Sequence, residues 1–169
     1  MSVLTDFSTW LAASPLPPLV TSHDWLVPAI QVVHILSVAA VVIASVHINL
    51  RALNVIERDV ALGDVADRFL PVLWAALGVL ALTGVLLIAS EPNRAIFRYV
   101  FWVKLVLATL AALATAGQPR FALSGGAQGA TAVSSGQKVL AVLALVLWAL
   151  TIYAGRCIAY ADPWAGAPS

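Results

Sequence analysis

The sequence predicts an all-α integral membrane protein: a four-helix bundle threaded up-down-up-down, with a short N-terminal helix lying in the membrane interface. Three observations carry this expectation. Apolar residues make up 62% of the 169-residue chain and charged residues only 10%, where a soluble domain averages about a quarter. Mean hydropathy is +0.96, more apolar surface than a domain of this size can hide from water. Finally, four stretches are long enough to cross a hydrocarbon core of about 30 Å, which takes roughly 20 residues of helix.

The leading segment SVLTDFSTWLAASPLPP has no basic start and no continuous apolar run, so it is not expected to be a signal peptide. Val3, Leu4, Phe7, Trp10 and Leu11 share one helical face, and Pro15 to Pro18 end that helix. The first span is expected over about 25–50, with Pro28 in its first turn. A second surface helix is expected between Arg51 and Phe69, where charges alternate with Leu53, Ile56, Val60 and Val65. The second span covers 70–90 and the third about 95–116. A Gly/Ser/Ala-rich mobile loop is expected over 117–137, and the fourth span over about 139–161. The whole chain, 1–169, is expected to be one domain.

Nine Lys/Arg balance eight Asp/Glu, and no basic run is long enough to follow phosphates, so nucleic acid is not an expected partner. The single cysteine, Cys157, excludes an internal disulfide and multi-cysteine metal centres. With the N-terminus outside, Arg51, Arg58, Arg68, Arg120 and Lys138 face the cytoplasm, and Arg94, Arg98 and Arg156 the other side; this favours both termini outside. Small residues set close helix approach: Ala108, Ala112 and Ala116 on the third span, Gly78 and Gly84 on the second, Ala154 and Gly155 on the fourth. Trp74, Trp102 and Trp148 are expected to pack or to face lipid, and Trp10, Trp25 and Trp164 to anchor at the interface.

Ionisable groups at bilayer depth are costly and therefore mark candidate sites. Counting about 1.5 Å of rise per residue places His34 and Lys104 at similar depth, with Gln31, Tyr153 and Arg156 in the same half and Glu91 at the rim. No Asp or Glu falls within a span, so Lys104 must snorkel, deprotonate or meet an anionic ligand. His34 and His47 on one helix are the candidate metal ligands, for a haem b. Thirteen residues apart, they are separated by about 20 Å and cannot share one iron. The other spans hold no histidine, so a bis-histidine haem within one chain is excluded by counting. A two-fold dimer, a five-coordinate iron or Lys104 as sixth ligand would each resolve this, with Arg98 or Arg156 meeting the propionates. Hydrogen bonding of the histidines to neighbouring helices is the plain alternative.

Three segments, QVVHILSVAAVVIASVHINLRAL, RFLPVLWAALGVLALTGVLLIASEPNRAIFRYVFWVKL and GRCIAYADPW, with the leading FSTWLAASPL, resemble an uncharacterised bacterial family of four-helix inner-membrane proteins, a domain of unknown function. The most specific pieces are His34 with Asn49 and Arg51 after it, Leu82–Thr83–Gly84, FWVKL around Lys104, and GRCIAY around Arg156. The resemblance implies a carboxylate at Gln31, an Asp at Asn49 and a further histidine near the end of the third span; this chain has none of these. It implies a fold and a membrane location, and no activity.

The expected function is a small membrane subunit of electron transfer, linked to haem b or quinone, in a homo-oligomer or a larger complex of the bacterial inner membrane. His34, His47, Gln31, Lys104, Tyr153, Arg156 and Arg98 are its candidate cofactor-binding residues. The alternatives are a non-catalytic scaffold with hydrogen-bonded histidines and a small-anion transporter, which lacks proton-relay carboxylates in its spans. A hydrolase is least expected, since no Ser–His–Asp set, HExxH or phosphate loop is present.

Overall fold

The computed structural model describes residues 3–123, 132–158 and 160–162, the side chains of 94–95 and 120–123 excepted. Its elements are all helical: α1 (Val3–Ala12), α2 (Leu16–Val20), α3 (Leu26–Ala52), α4 (Leu62–Ser90), α5 (Pro92–Ile96), α6 (Tyr99–Leu123) and α7 (Ser135–Cys157). The helices α3, α4, α6 and α7 are long and apolar enough to cross a membrane, so this is a multi-pass membrane protein. They form two antiparallel hairpins, α3 with α4 and α6 with α7, joined chiefly where α3 meets α7. One end of the bundle, the near end, gathers the starts of α3 and α6 and the ends of α4 and α7; the opposite end is the far end.

Helix-helix contact relies on small side chains, because lipid tails give apolar surfaces no incentive to leave them. The central core is Val41, Ala44, Leu73, Ala76, Ala111, Ala112 and Trp148, with Leu70, Leu77, Leu80 and Leu147 packed around it. On α3 the buried positions 37, 41, 44, 45, 48, 49 and 52 recur every three or four residues, as one inward helical face requires. Outward positions such as Ile35, Leu36, Ile43, Leu82, Val106 and Leu150 are large, apolar and exposed, as a lipid-facing surface demands.

The four spans fall where the apolar runs put them, and their ends differ. The surface helix expected between Arg51 and Phe69 does not form: residues 53–61 are a turn, and α4 already starts at Leu62. The cause is Arg51, which is fully buried and pulls the turn around itself. Its Nε donates to the carbonyl of Val60 at 2.6 Å, Nη1 to Asn54 Oδ1 at 2.8 Å, and Nη2 to the carbonyl of Arg58 at 3.4 Å. Asn54 (φ 57°) and Glu57 (φ 44°) take left-handed conformations to make the wrap. The third span begins later than expected, at Tyr99, after the short α5, and runs through Pro119 to Leu123.

The fourth span begins earlier, at Ser135, because Ser134 and Gln137 form a capping box: Ser134 Oγ accepts from the Gln137 backbone, and Gln137 Oε1 from the Ser134 backbone. Residues 124–131 of the expected mobile loop and the expected anchor Trp164 lie outside the described residues. At the N-terminus the expected helix forms, but its apolar residues divide: Leu11 is buried with Ser8 while Val3, Phe7 and Trp10 stay exposed. Gly78 meets no neighbour, so it does not serve helix packing as expected, whereas Gly84 and Gly155 do.

Candidate functional site

His34 projects from α3 toward α4 about two turns into its helix, and its Nδ1 lies 2.8 Å from Thr83 Oγ1. Thr83 is itself tied back to its own helix, its hydroxyl 2.7 Å from the carbonyl of Val79. A carbonyl oxygen only accepts, so Thr83 spends its one proton there and can only accept from His34. With Nδ1 as the donor, the neutral form of the imidazole keeps its lone pair on Nε2. Gly84, next to Thr83, passes beside the ring: a Cβ there would stand 3.8 Å from His34 Cε1, in ordinary contact. Thr83 holds the ring, and Gly84 lies against it.

Lys104 comes from the first two turns of α6 and lies along α7 at Gly155. A Cβ at 155 would stand 3.5 Å from Lys104 Cε and 3.7 Å from Nζ. Lys104 and His34 lie in the same near half of the bundle, each within about two turns of the start of its helix. No hydrogen bond or ion pair joins Lys104 to another described residue. The near half of the bundle thus holds an imidazole and a lysine amine, one from each hairpin. Gly155→Ala is expected to be tolerated, since the added carbon makes ordinary van der Waals contact. Gly155→Ile is expected to push the Lys104 stem off α7 and weaken whatever the ammonium binds, with folding retained in a thermal-shift assay.

The other candidates are dispersed. Gln31 is exposed, as is Tyr153 at 70%. Arg156 points away to Tyr160, with Nη2 donating to its hydroxyl at 3.0 Å and the guanidinium over the ring. Arg98 donates to the carbonyl of Ile158, tying the start of α6 to the end of α7. His47 sits toward the far end, its Nδ1 donating to the carbonyl of Ile43 at 2.9 Å and its ring stacked on Phe69 at 4.5 Å. Depth along the helix carries no information on which way each of these residues faces. Among the described residues no three His, Cys, Asp or Glu side chains converge.

A second polar centre escaped sequence reasoning. At the far end Ser45, Asn49, Thr115, Gln118 and Gln137 are buried together. Ser45 Oγ and Thr115 Oγ1 are 3.0 Å apart, Asn49 Nδ2 donates to the carbonyl of Ser45 at 2.8 Å, and Gln118 Nε2 donates to Asn49 Oδ1 at 3.1 Å. Trp148 Nε1, in the central core, donates to Thr115 Oγ1 at 3.3 Å. The signal for it was Asn49, a buried-face amide two residues before Arg51. Between this cluster and His34 lies the apolar core layer of Val41, Leu73, Ala76, Ala111 and Ala112.

Residues 23–161 match the model of a family of unknown function, DUF6644. The chain belongs to this family. No curated protein and no solved structure matches it. The family match takes in all four spans together with His34, Thr83, Lys104 and Gly155, and starts after α1 and α2.

Proposed function

We propose that this chain is a small membrane subunit of electron transfer that holds the head group of an isoprenoid quinol between His34 and Lys104. The observation that carries this reading is the His34 Nδ1–Thr83 hydrogen bond, backed by the bond from Thr83 to the carbonyl of Val79, which in the neutral imidazole leaves Nε2 free to accept. A quinol ring has hydroxyl groups on opposite edges. One donates to His34 Nε2, and the oxygen of the other accepts from Lys104 Nζ. The oxidised ring, whose carbonyl oxygens only accept, gains nothing from His34, so this pairing favours the reduced form. On oxidation a quinol loses two protons and two electrons; Nε2 takes one proton, the other leaves to water at the near end of the bundle, and both electrons pass to a redox centre on a partner subunit.

The same features weigh against the alternatives. A small anion at Lys104 would face the His34 lone pair, and the apolar layer of Val41, Leu73 and Ala112 separates it from the polar far end. A haem b is the second reading, favoured by one observation: an imidazole anchored through Nδ1–H is oriented as metal-binding histidines are. Of the chain's own residues, His34 would supply one ligand and Lys104 is the nearest amine for the other, while His47 faces a separate region beside Phe69. The proposed setting is the bacterial inner membrane, both termini periplasmic, in a homo-oligomer or a larger oxidoreductase; the excess of basic residues at the far end supports that orientation.

The test is a short-chain quinol titrated into the protein in lipid nanodiscs, with the absorption spectrum recorded before and after dithionite. Saturable quinol binding, weaker for the quinone and lost in His34→Ala, is expected. A Soret band that shifts on reduction and disappears in His34→Ala replaces quinol by haem. A colourless protein that binds neither, in which His34→Ala changes only stability, returns the chain to a scaffold role.

A further inference from the structure

The far-end polar cluster is separate from the proposed quinol site, and it is not complete in itself. Gln118 and Gln137 are 0% and 2% exposed, yet among the described residues Gln118 Oε1 and Gln137 Nε2 have no hydrogen-bond partner. Their amide orientations are set by their neighbours. Gln137 Oε1 accepts the Ser134 backbone N–H at 2.7 Å, which leaves its nitrogen over. Asn49 Nδ2 donates to a carbonyl, so Asn49 Oδ1 must accept, and the Gln118 nitrogen serves it and the Gln137 carbonyl at 3.3 Å. What remains on Gln118 is an acceptor. A third group belongs to the same turn: Pro119 has no N–H to give the carbonyl of Thr115, a residue that is itself 0% exposed.

This leaves one donor and one acceptor without a partner among the described residues, beside a Thr115 carbonyl that lacks the N–H of residue 119, all on residues buried from bulk water. Two oxygens refuse an anion, and the Gln137 amide hydrogens refuse a metal cation. A molecule that donates twice and accepts once satisfies all three, and buried waters typically make about three hydrogen bonds. Waters are also a known means of satisfying carbonyls freed by proline in membrane helices. We propose that one water molecule is sealed between α6 and α7, accepting from Gln137 Nε2 and donating to Gln118 Oε1 and to the carbonyl of Thr115. It joins the capping box of α7 to the proline turn of α6.

The experiment is water-selected solid-state NMR of the full chain in lipid bilayers, with glutamine side-chain amides labelled with 15N. The Gln137 amide is expected to receive magnetisation from a bound water, while the indole N–H of Trp148, already bonded to Thr115, receives none. Gln118→Met is expected to abolish the transfer to Gln137. Should that variant fail to fold, Pro119→Ala, which returns an N–H to the Thr115 carbonyl and favours helix, is expected to weaken the transfer with the bundle intact. A wild-type Gln137 amide with no water contact, or one bonded directly to Gln118, overturns the proposal.

Discussion

Combining His34→Ala with Lys104→Met is expected to reduce quinol affinity by less than the product of the two single losses. Removing the imidazole forfeits a neutral hydrogen bond, about ten-fold in affinity, and removing the ammonium forfeits a charge-assisted one, up to about a hundred-fold. If both side chains hold the same ring, losing either lets the head group shift away from the other, and the effects stop adding. Titration of wild type, both single variants and the double variant in nanodiscs measures this coupling. Strict additivity contradicts a shared ligand. Thr83→Val belongs beside this set: it leaves both contact groups in place but frees the ring to turn and to protonate at Nε2, so it is expected to weaken the quinol as well.

Arg51→Ala is expected to be the most destabilising single change in the chain, by roughly 3 kcal/mol or more, because a fully buried guanidinium and its three hydrogen bonds to the turn are lost at once. The guanidinium organises the 53–61 turn through Val60, Asn54 and Arg58. Arg51→Lys keeps the charge but offers one nitrogen in place of a planar fork, so it is expected to recover only part of the loss. Thermal unfolding in detergent and proteolytic nicking within 53–61 report the two effects. Full stability of Arg51→Ala means that the turn holds without its centre.

Much of the architecture was legible because lipid imposes a simple rule: helices of about 20 apolar residues, each seen as an uninterrupted run. The ends were harder. Gly117, Pro119 and the small residues after them carry the composition of a loop, yet α6 continues because Gln118 bonds across to Asn49 and Gln137. The capping box at Ser134 and Gln137 was written in the chain as S-x-x-Q, and loop composition masked it. Arg51 resembled an ordinary solvated charge after a span; only the fold shows carbonyls closing over it. For the site, depth counting united His34 with Lys104, both costly at that level. Thr83 carried no such signal, since a threonine bonded back to its own helix is common in spans. Gln31, Tyr153 and Arg156 share the depth but differ in direction, which a residue count along the axis does not resolve.

The central claim concerns one nitrogen atom, and the 15N spectrum of His34 in bilayers addresses it directly. A proton on Nδ1, a bare Nε2, and a shift of the Nε2 signal when a short-chain quinol is added are the expected result. A proton resident on Nε2, or an Nε2 signal indifferent to quinol and to Lys104→Met alike, contradicts the account.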